Sequence, residues 1–162
     1  MQTADKNSMK NKTIDFLANI LPIIYPQFYI STDLDGNELV FLDIGLPKDD
    51  ITNKKFDKTA QFDKTAYESF ENHFHLFGKI NKKDEEVAIK IGKTISQNLL
   101  NALQMNFPDK IFIVYLTVNI KDSTIIRFHQ EWNNEPPYFD SKAFSDEYIF
   151  EFKTLKNMNA KA

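Results

Sequence analysis

The sequence predicts an α+β fold, a mainly antiparallel sheet of about four to six strands packed against a long central helix and an N-terminal helix. Three observations carry this expectation. Apolar residues recur at helical spacing from Val87 to Leu103. Several short segments elsewhere alternate in polarity and are joined by turn-forming residues. Fifteen Phe residues and many Ile suit a core that packs helix against pleated sheet. A chain of 162 residues is long enough to bury such a core as one domain spanning 1–162, with flexible ends expected at 1–9 and 156–162.

In chain order, Lys10 to Ile24 reads as the first helix, because Ile14, Leu17, Leu21 and Ile24 recur at helical spacing. Pro22 bends or shortens it and Pro26 closes it. Phe28-Tyr29-Ile30 begins a strand, and Glu38 to Leu46 returns as its partner. The turn between them, Asp33-Leu34-Asp35-Gly36-Asn37, is rich in residues that tolerate positive φ. A polar loop follows, Pro47 to Asn53. After it Phe56-Asp57-Lys58-Thr59-Ala60 is repeated as Phe62-Asp63-Lys64-Thr65-Ala66, a tandem duplication expected in a tolerant surface loop. Tyr67 to Asn72 suits a helical turn and His73 to Ile80 a strand.

The long helix has the clearest signature. Asp84, Glu85 and Glu86 place negative charge at an N-terminus, where the macrodipole favours it. Val87, Ile91, Ile95, Leu99 and Leu103 step by four, Ala88, Leu100 and Ala102 widen the stripe, and Pro108 ends the helix. Gly92 costs about 1 kcal/mol relative to Ala without breaking the pattern. Ile111 to Ile120 is apolar on nearly both faces and is expected at the centre of its sheet. Lys121-Asp122-Ser123 turns the chain, and Thr124 to Gln130 returns as an amphipathic strand. Asn133 to Pro137 is a stiff loop, and Asp146 to Leu155 ends in a strand through Tyr148, Phe150 and Phe152.

Composition narrows the function classes. With no cysteine, disulfides, thiolate zinc sites and a cysteine nucleophile are excluded, which suits a reducing cytoplasm. Met1 to Lys12 is polar and carries no signal-peptide h-region. The longest mostly apolar run, Phe16 to Tyr25, is too short to span a bilayer, so neither secretion nor membrane insertion is expected. A formal net charge of -3 without a basic stripe makes nucleic acid a poor partner. The acids are unevenly placed. From Phe128 to Glu151 lie Glu131, Glu135, Asp140, Asp146, Glu147 and Glu151 against Lys142 alone, a negative field suited to a basic partner.

Four groups of residues invite a chemical reading. The Asp33-Asp35 turn after an apolar strand resembles the first motif of haloacid-dehalogenase phosphatases, in which one aspartate attacks phosphorus and the second handles the leaving-group proton. Asp49-Asp50 would then supply magnesium ligands. That family needs a parallel doubly wound sheet, and the β-turn reading is the stronger one. His73 and His75 would share a strand face, and with His129 and an acid such as Asp43 they offer a metal set; histidines capping a half-buried sheet face are the commoner case. Arg127, His129 and Glu131 share one face of a strand. They suit general acid/base work on a phosphodiester, a cross-strand ion pair or a polar contact patch. Finally, Trp132-Asn133-Asn134-Glu135-Pro136-Pro137-Tyr138-Phe139-Asp140 combines rigid prolines with the aromatic types that anchor protein interfaces. The same loop equally serves to cover the end of the core.

Asn98-Leu99-Leu100-Asn101-Ala102-Leu103, then Ile126-Arg127-Phe128-His129-Gln130 with Trp132 and Glu135-Pro136-Pro137-Tyr138, make the chain similar to the immunity proteins of bacterial polymorphic toxins, including those of contact-dependent growth inhibition systems. The resemblance spans about half of the chain and implies a cytoplasmic, non-enzymatic protein with no catalytic residues, metal or cofactor. Its partner would be a cognate toxin C-terminal domain, a basic nuclease, blocked stoichiometrically. The expected contact residues are Arg127, His129, Glu131, Trp132, Glu135, Tyr138, Asp140 and Glu147. The competing classes are a small metal- or phosphate-dependent enzyme using His73, His75 and His129 or the Asp33-Asp35 turn, and a non-catalytic adaptor or chaperone.

Overall fold

The computed structural model describes residues 20–45, 48, 50–56, 63–139 and 148–155. Residues 20–24 are the described part of helix α1. They are followed by β1 (Phe28–Thr32), β2 (Glu38–Leu42), α2 (Lys64–Glu71), β3 (His73–Phe77), a single 3₁₀ turn (Lys82–Asp84), α3 (Glu85–Asn106), β4 (Phe112–Val118), β5 (Thr124–Gln130) and β6 (Tyr148–Lys153). Among the described residues the α+β class and six antiparallel strands match the sequence expectation, but these strands divide into two sheets. One is the β1-β2 hairpin, and the other has the order β3-β5-β4-β6.

β4 and β5 are the central strands of the larger sheet, and all seven residues of β4 are buried, as its apolar character on both faces requires. Val114, Leu116, Ile126 and Phe128 face α3, where Ile95, Leu99, Leu100 and Leu103 meet them in the main core. The hairpin serves two cores at once, because its side chains alternate. Val40 and Leu42 enter the main core, while Leu39 and Phe41 join Ile51 and Tyr67 in a second cluster that Trp132 and Phe56 flank.

Two apolar stripes are set differently from expectation. In α3, Val87 and Ile91 are 58% and 37% exposed, and the buried positions of the first turns are Glu85, Ala88 and Gly92 instead. A step of four residues overshoots a 3.6-residue turn by about 40° each time, so the four steps from Val87 to Leu103 drift by about 160° and these residues cannot all face one sheet. In α1, Ile20 and Ile23 are buried whereas Leu21 and Ile24 are largely exposed. The stretch is apolar on two faces, and periodicity alone does not choose between them. Positions 10–19 of the expected first helix lie outside the described residues.

Gly92 has a packing role that its low helix propensity concealed. A Cβ placed there would lie 2.7 and 2.8 Å from the two terminal carbons of Leu116, itself fully buried beneath the helix. Gly92→Ala therefore trades a propensity gain of about 1 kcal/mol for overpacking of about 1–3 kcal/mol. A net loss on the order of 1 kcal/mol is expected in urea unfolding, and a stabilised variant would show that Leu116 can yield.

The second copy of the tandem repeat is helix, not loop. Asp63 is the N-cap of α2 and accepts the Ala66 N–H at 2.7 Å, so Lys64, Thr65 and Ala66 form the first turn. Residues 57–60 of the first copy lie outside the described residues.

Candidate partner-binding site

The face of the larger sheet that points away from α3 presents two cross-strand rows. Ile113 stands between His129 and Lys153, and Tyr115 between Arg127 and Glu151. The chain leaving β5 folds back over these rows as residues 131–139. Its Phe139 ring lies edge-on to Tyr115 with centroids 5.0 Å apart, while His129 stacks on Tyr115 at 5.7 Å. Tyr138 approaches both rings, 6.5 Å from Tyr115 and 6.4 Å from His129. Between loop and strands is a recess of about 310 Å³ lined by Tyr115, His129, Glu131, Glu135, Glu151 and Lys153 among others. That volume is at the lower end of ligand sites, roughly 300–1,000 Å³, and suits a side chain or a small ligand.

The loop is held by α2. Glu135 turns inward, its side chain only 1% exposed, and pairs with Lys64 Nζ at 2.7 Å. Its other oxygen accepts the Thr65 backbone N–H and the Thr65 hydroxyl, each at 2.8 Å, at the electropositive start of the helix. Burial works to raise the Glu135 carboxyl, but Lys64 and the two Thr65 donors outweigh it and hold it below the usual carboxylate range. Lys64 also lies 4.8 Å from the centre of the Trp132 ring. Asn134 takes a positive φ of 66° at the loop's turn, a conformation that asparagine adopts more readily than most residues.

Beneath the loop is a group for which the sequence carried no signal. Glu68, on α2, is fully buried. One carboxylate oxygen accepts the Val40 N–H at 2.8 Å and the Gln130 side-chain amide at 2.7 Å; the other accepts the Gln130 N–H at 2.8 Å and the Trp132 indole N–H at 2.9 Å. One turn later Asn72 accepts the Leu42 N–H and donates to the Val40 carbonyl. α2 thus lays polar side chains along the free edge of β2, in the place of a further strand, and joins the two sheets through one carboxylate. Burial pushes the Glu68 carboxyl up to about 7, against the pull of its four donors.

His129 is 1% exposed and its Nδ1 lies 2.6 Å from the Gln130 carbonyl oxygen. A carbonyl only accepts, so Nδ1 carries the ring proton and Nε2 presents a lone pair. Burial lowers the imidazole below its usual range and keeps it neutral, although Glu131 and Glu135 pull the other way. Among the described residues Nε2 has no hydrogen-bond partner. Burial, with the nearby Glu151 carboxylate, pushes the Tyr115 hydroxyl up to about 12.

Of the expected contact residues, Arg127, His129, Glu131, Trp132, Glu135 and Tyr138 are all brought to this end of the sheet. Arg127 lies 5.9 Å from the centre of the Phe139 ring, and Glu131 pairs with Lys153 at 2.6 Å. Trp132 and Glu135 are engaged by α2, the indole N–H by Glu68 and the carboxylate by Lys64 and Thr65. Asp140 and Glu147 lie outside the described residues. Tyr115, Glu151, Lys153, Lys64 and Thr65 join the site from β4, β6 and α2; the pairing of β6 with β4, which brings in Glu151 and Lys153, had no local sequence signal.

The alternative constellations take other forms. Asp33 closes its own turn, accepting the Asp35 and Asn37 N–H groups at 2.9 and 2.8 Å and the Asn37 side-chain amide at 2.7 Å. Asp43 likewise accepts the Gly45 N–H at 3.1 Å and pairs with Lys48 at 3.3 Å, and Asp49 lies outside the described residues. His73 and His75 do share a face, with ring centroids 5.6 Å apart. Among the described residues no group of three His, Cys, Asp or Glu is placed to hold a metal ion. No described helix is long and apolar enough to cross a membrane. No protein-family model, curated protein or solved structure matches this chain.

Proposed function

We propose that the chain is an immunity protein of the cytoplasm, which binds a cognate bacterial toxin domain, a basic nuclease, and neutralises it by stoichiometric blockade. The observation that carries this reading is the recess beside residues 131–139, where the Glu131 and Glu151 carboxylates flank the aromatic rings of Tyr115, His129 and Trp132. Concave aromatic surface supplies anchoring contacts, and a carboxylate rim steers a basic surface toward it. The loop is already held by Glu135 and Trp132, so binding costs little ordering entropy. The resemblance to immunity proteins of polymorphic toxins supports the same reading.

The test is growth protection by co-expression with any toxin domain that the adjoining reading frame encodes, together with a one-to-one complex in sedimentation. Replacing Glu131 and Glu151 by Lys should slow association about tenfold or more at low salt and flatten its salt dependence. Dissociation should change less. An association rate untouched by both reversals would remove the recess from the interface, and failure to protect or to form the complex would sink the reading.

A further inference from the structure

The recess has a chemical polarity that names what it takes. Three buried polar atoms that line it have no hydrogen-bond partner among the described residues: Glu135 Oε1, which is ion-paired with Lys64, the Tyr115 hydroxyl, which lies beside Glu151, and His129 Nε2, an acceptor, since Nδ1 is committed to the Gln130 carbonyl. The nearby carboxylates are acceptors as well. Glu135 is neutralised by Lys64 and Glu131 is shared with Lys153, whereas Glu151 has no cationic partner among the described residues. A site of lone pairs and carboxylates over stacked rings calls for a flat cation that donates in its own plane and presents its face to aromatic carbon.

We propose that the recess receives one arginine side chain of the toxin domain, with one arm of the guanidinium on His129 Nε2 and the other toward the carboxylate rim of Glu131 and Glu151. This rests on the toxin-binding reading above. Arginine fits better than lysine for two reasons. Its planar donors match the in-plane lone pair of a ring stacked on Tyr115, and a guanidinium leaves water more readily than an ammonium. The recess is also too small for a second large group beside it.

The experiment titrates the full chain with N-acetyl-arginine methylamide while ¹⁵N spectra follow the His129 imidazole and the Trp132 indole. A saturable shift of the Nε2 resonance is expected, with a dissociation constant on the order of 1–10 mM for so small a ligand. The citrulline analogue, isosteric but uncharged, should produce no saturable shift in that range. The exposed variant Glu151→Gln keeps the fold and should weaken binding roughly fivefold. Equal shifts with citrulline, or no saturable response at Nε2, would overturn the arginine site, and neither depends on the toxin. A guanidinium response without growth protection would support the recess as an arginine site while removing the toxin as its source. Protection without the response would leave the immunity reading standing and dismiss the arginine.

Discussion

Glu68→Ala should cost on the order of 3–5 kcal/mol, a large part of the ~5–15 kcal/mol by which a domain is held folded. The substitution leaves four buried donors facing a cavity, namely the Val40 and Gln130 N–H groups, the Gln130 amide and the Trp132 indole. Each unsatisfied group costs about 1–3 kcal/mol, offset in part because the carboxylate no longer has to be desolvated. For a chain of this length the melting temperature should fall by roughly 10 °C. Glu68→Gln should lie between, since a carboxamide keeps one acceptor oxygen but turns an NH₂ toward two donors. Chemical unfolding of the three proteins checks the order, and an alanine variant within 1 kcal/mol of wild type would mean that water replaces the carboxylate at little cost.

The same residue sets a pH dependence whose sign is unusual for a carboxylate. Its folded pKa is about 7 against 4.5 for the free side chain, so between these values the folded state holds a proton that the unfolded state has released. Stability from this group is greatest below the unfolded pKa and falls as pH rises toward 7, by about 3 kcal/mol in total. His129 acts oppositely. Its lowered pKa means that the unfolded chain binds the proton first, so its contribution rises with pH up to about 6.5. Glu135 contributes stability that is present above the usual carboxylate pKa and lost as pH falls through its lower folded value. The difference between wild type and Glu68→Gln isolates the Glu68 part, and it should shrink steadily from pH 5 to pH 8. A difference constant across that range would show the carboxyl to be ionised throughout.

What could be read from the sequence divides by the range of the interactions that decide it. β4, β5 and their turn were legible because an apolar run, a Lys-Asp-Ser turn and an alternating strand are consecutive and need only one another. The shared face of Arg127, His129 and Glu131 was legible for the same reason, since alternation is local. Glu68 was not, because its meaning comes from Val40 and Gln130, 28 and 62 residues away, and an isolated glutamate in a short amphipathic helix reads as solvated. Gly92 was read as a weakness of α3 because its reason, Leu116, lies in a different element. Glu151 and Lys153 belong to the recess only through the antiparallel register of β6 on β4, which no local pattern encodes. The division into two sheets has a similar source: nothing within β2 announces that Glu68 and Asn72 will satisfy its edge.

Lys64→Met should be nearly as damaging as the loss of Glu68, about 3–5 kcal/mol, and should also reach the function. It removes the cation from a carboxylate that is 1% exposed, leaving Glu135 with only the two Thr65 donors. A buried charge stripped of its partner is destabilising far beyond the net worth of the pair. The chain has a cheaper response than global unfolding, however, since residues 131–139 can lift away and hydrate Glu135. Such lifting would open the recess, separate Tyr138 from the Tyr115 and His129 rings and expose the indole of Trp132. The variant should therefore show red-shifted tryptophan emission and faster amide exchange at 132–139 before it shows global unfolding. The double variant Lys64→Met with Glu135→Gln removes the unpaired charge and should recover most of the lost stability, because an amide oxygen still accepts from Thr65. If the single variant is as stable as wild type with an unchanged tryptophan spectrum, the ion pair does not hold the loop. If the double variant is no better than the single, the cost lies in the packing of the Lys64 stem against Trp132 rather than in the stranded charge.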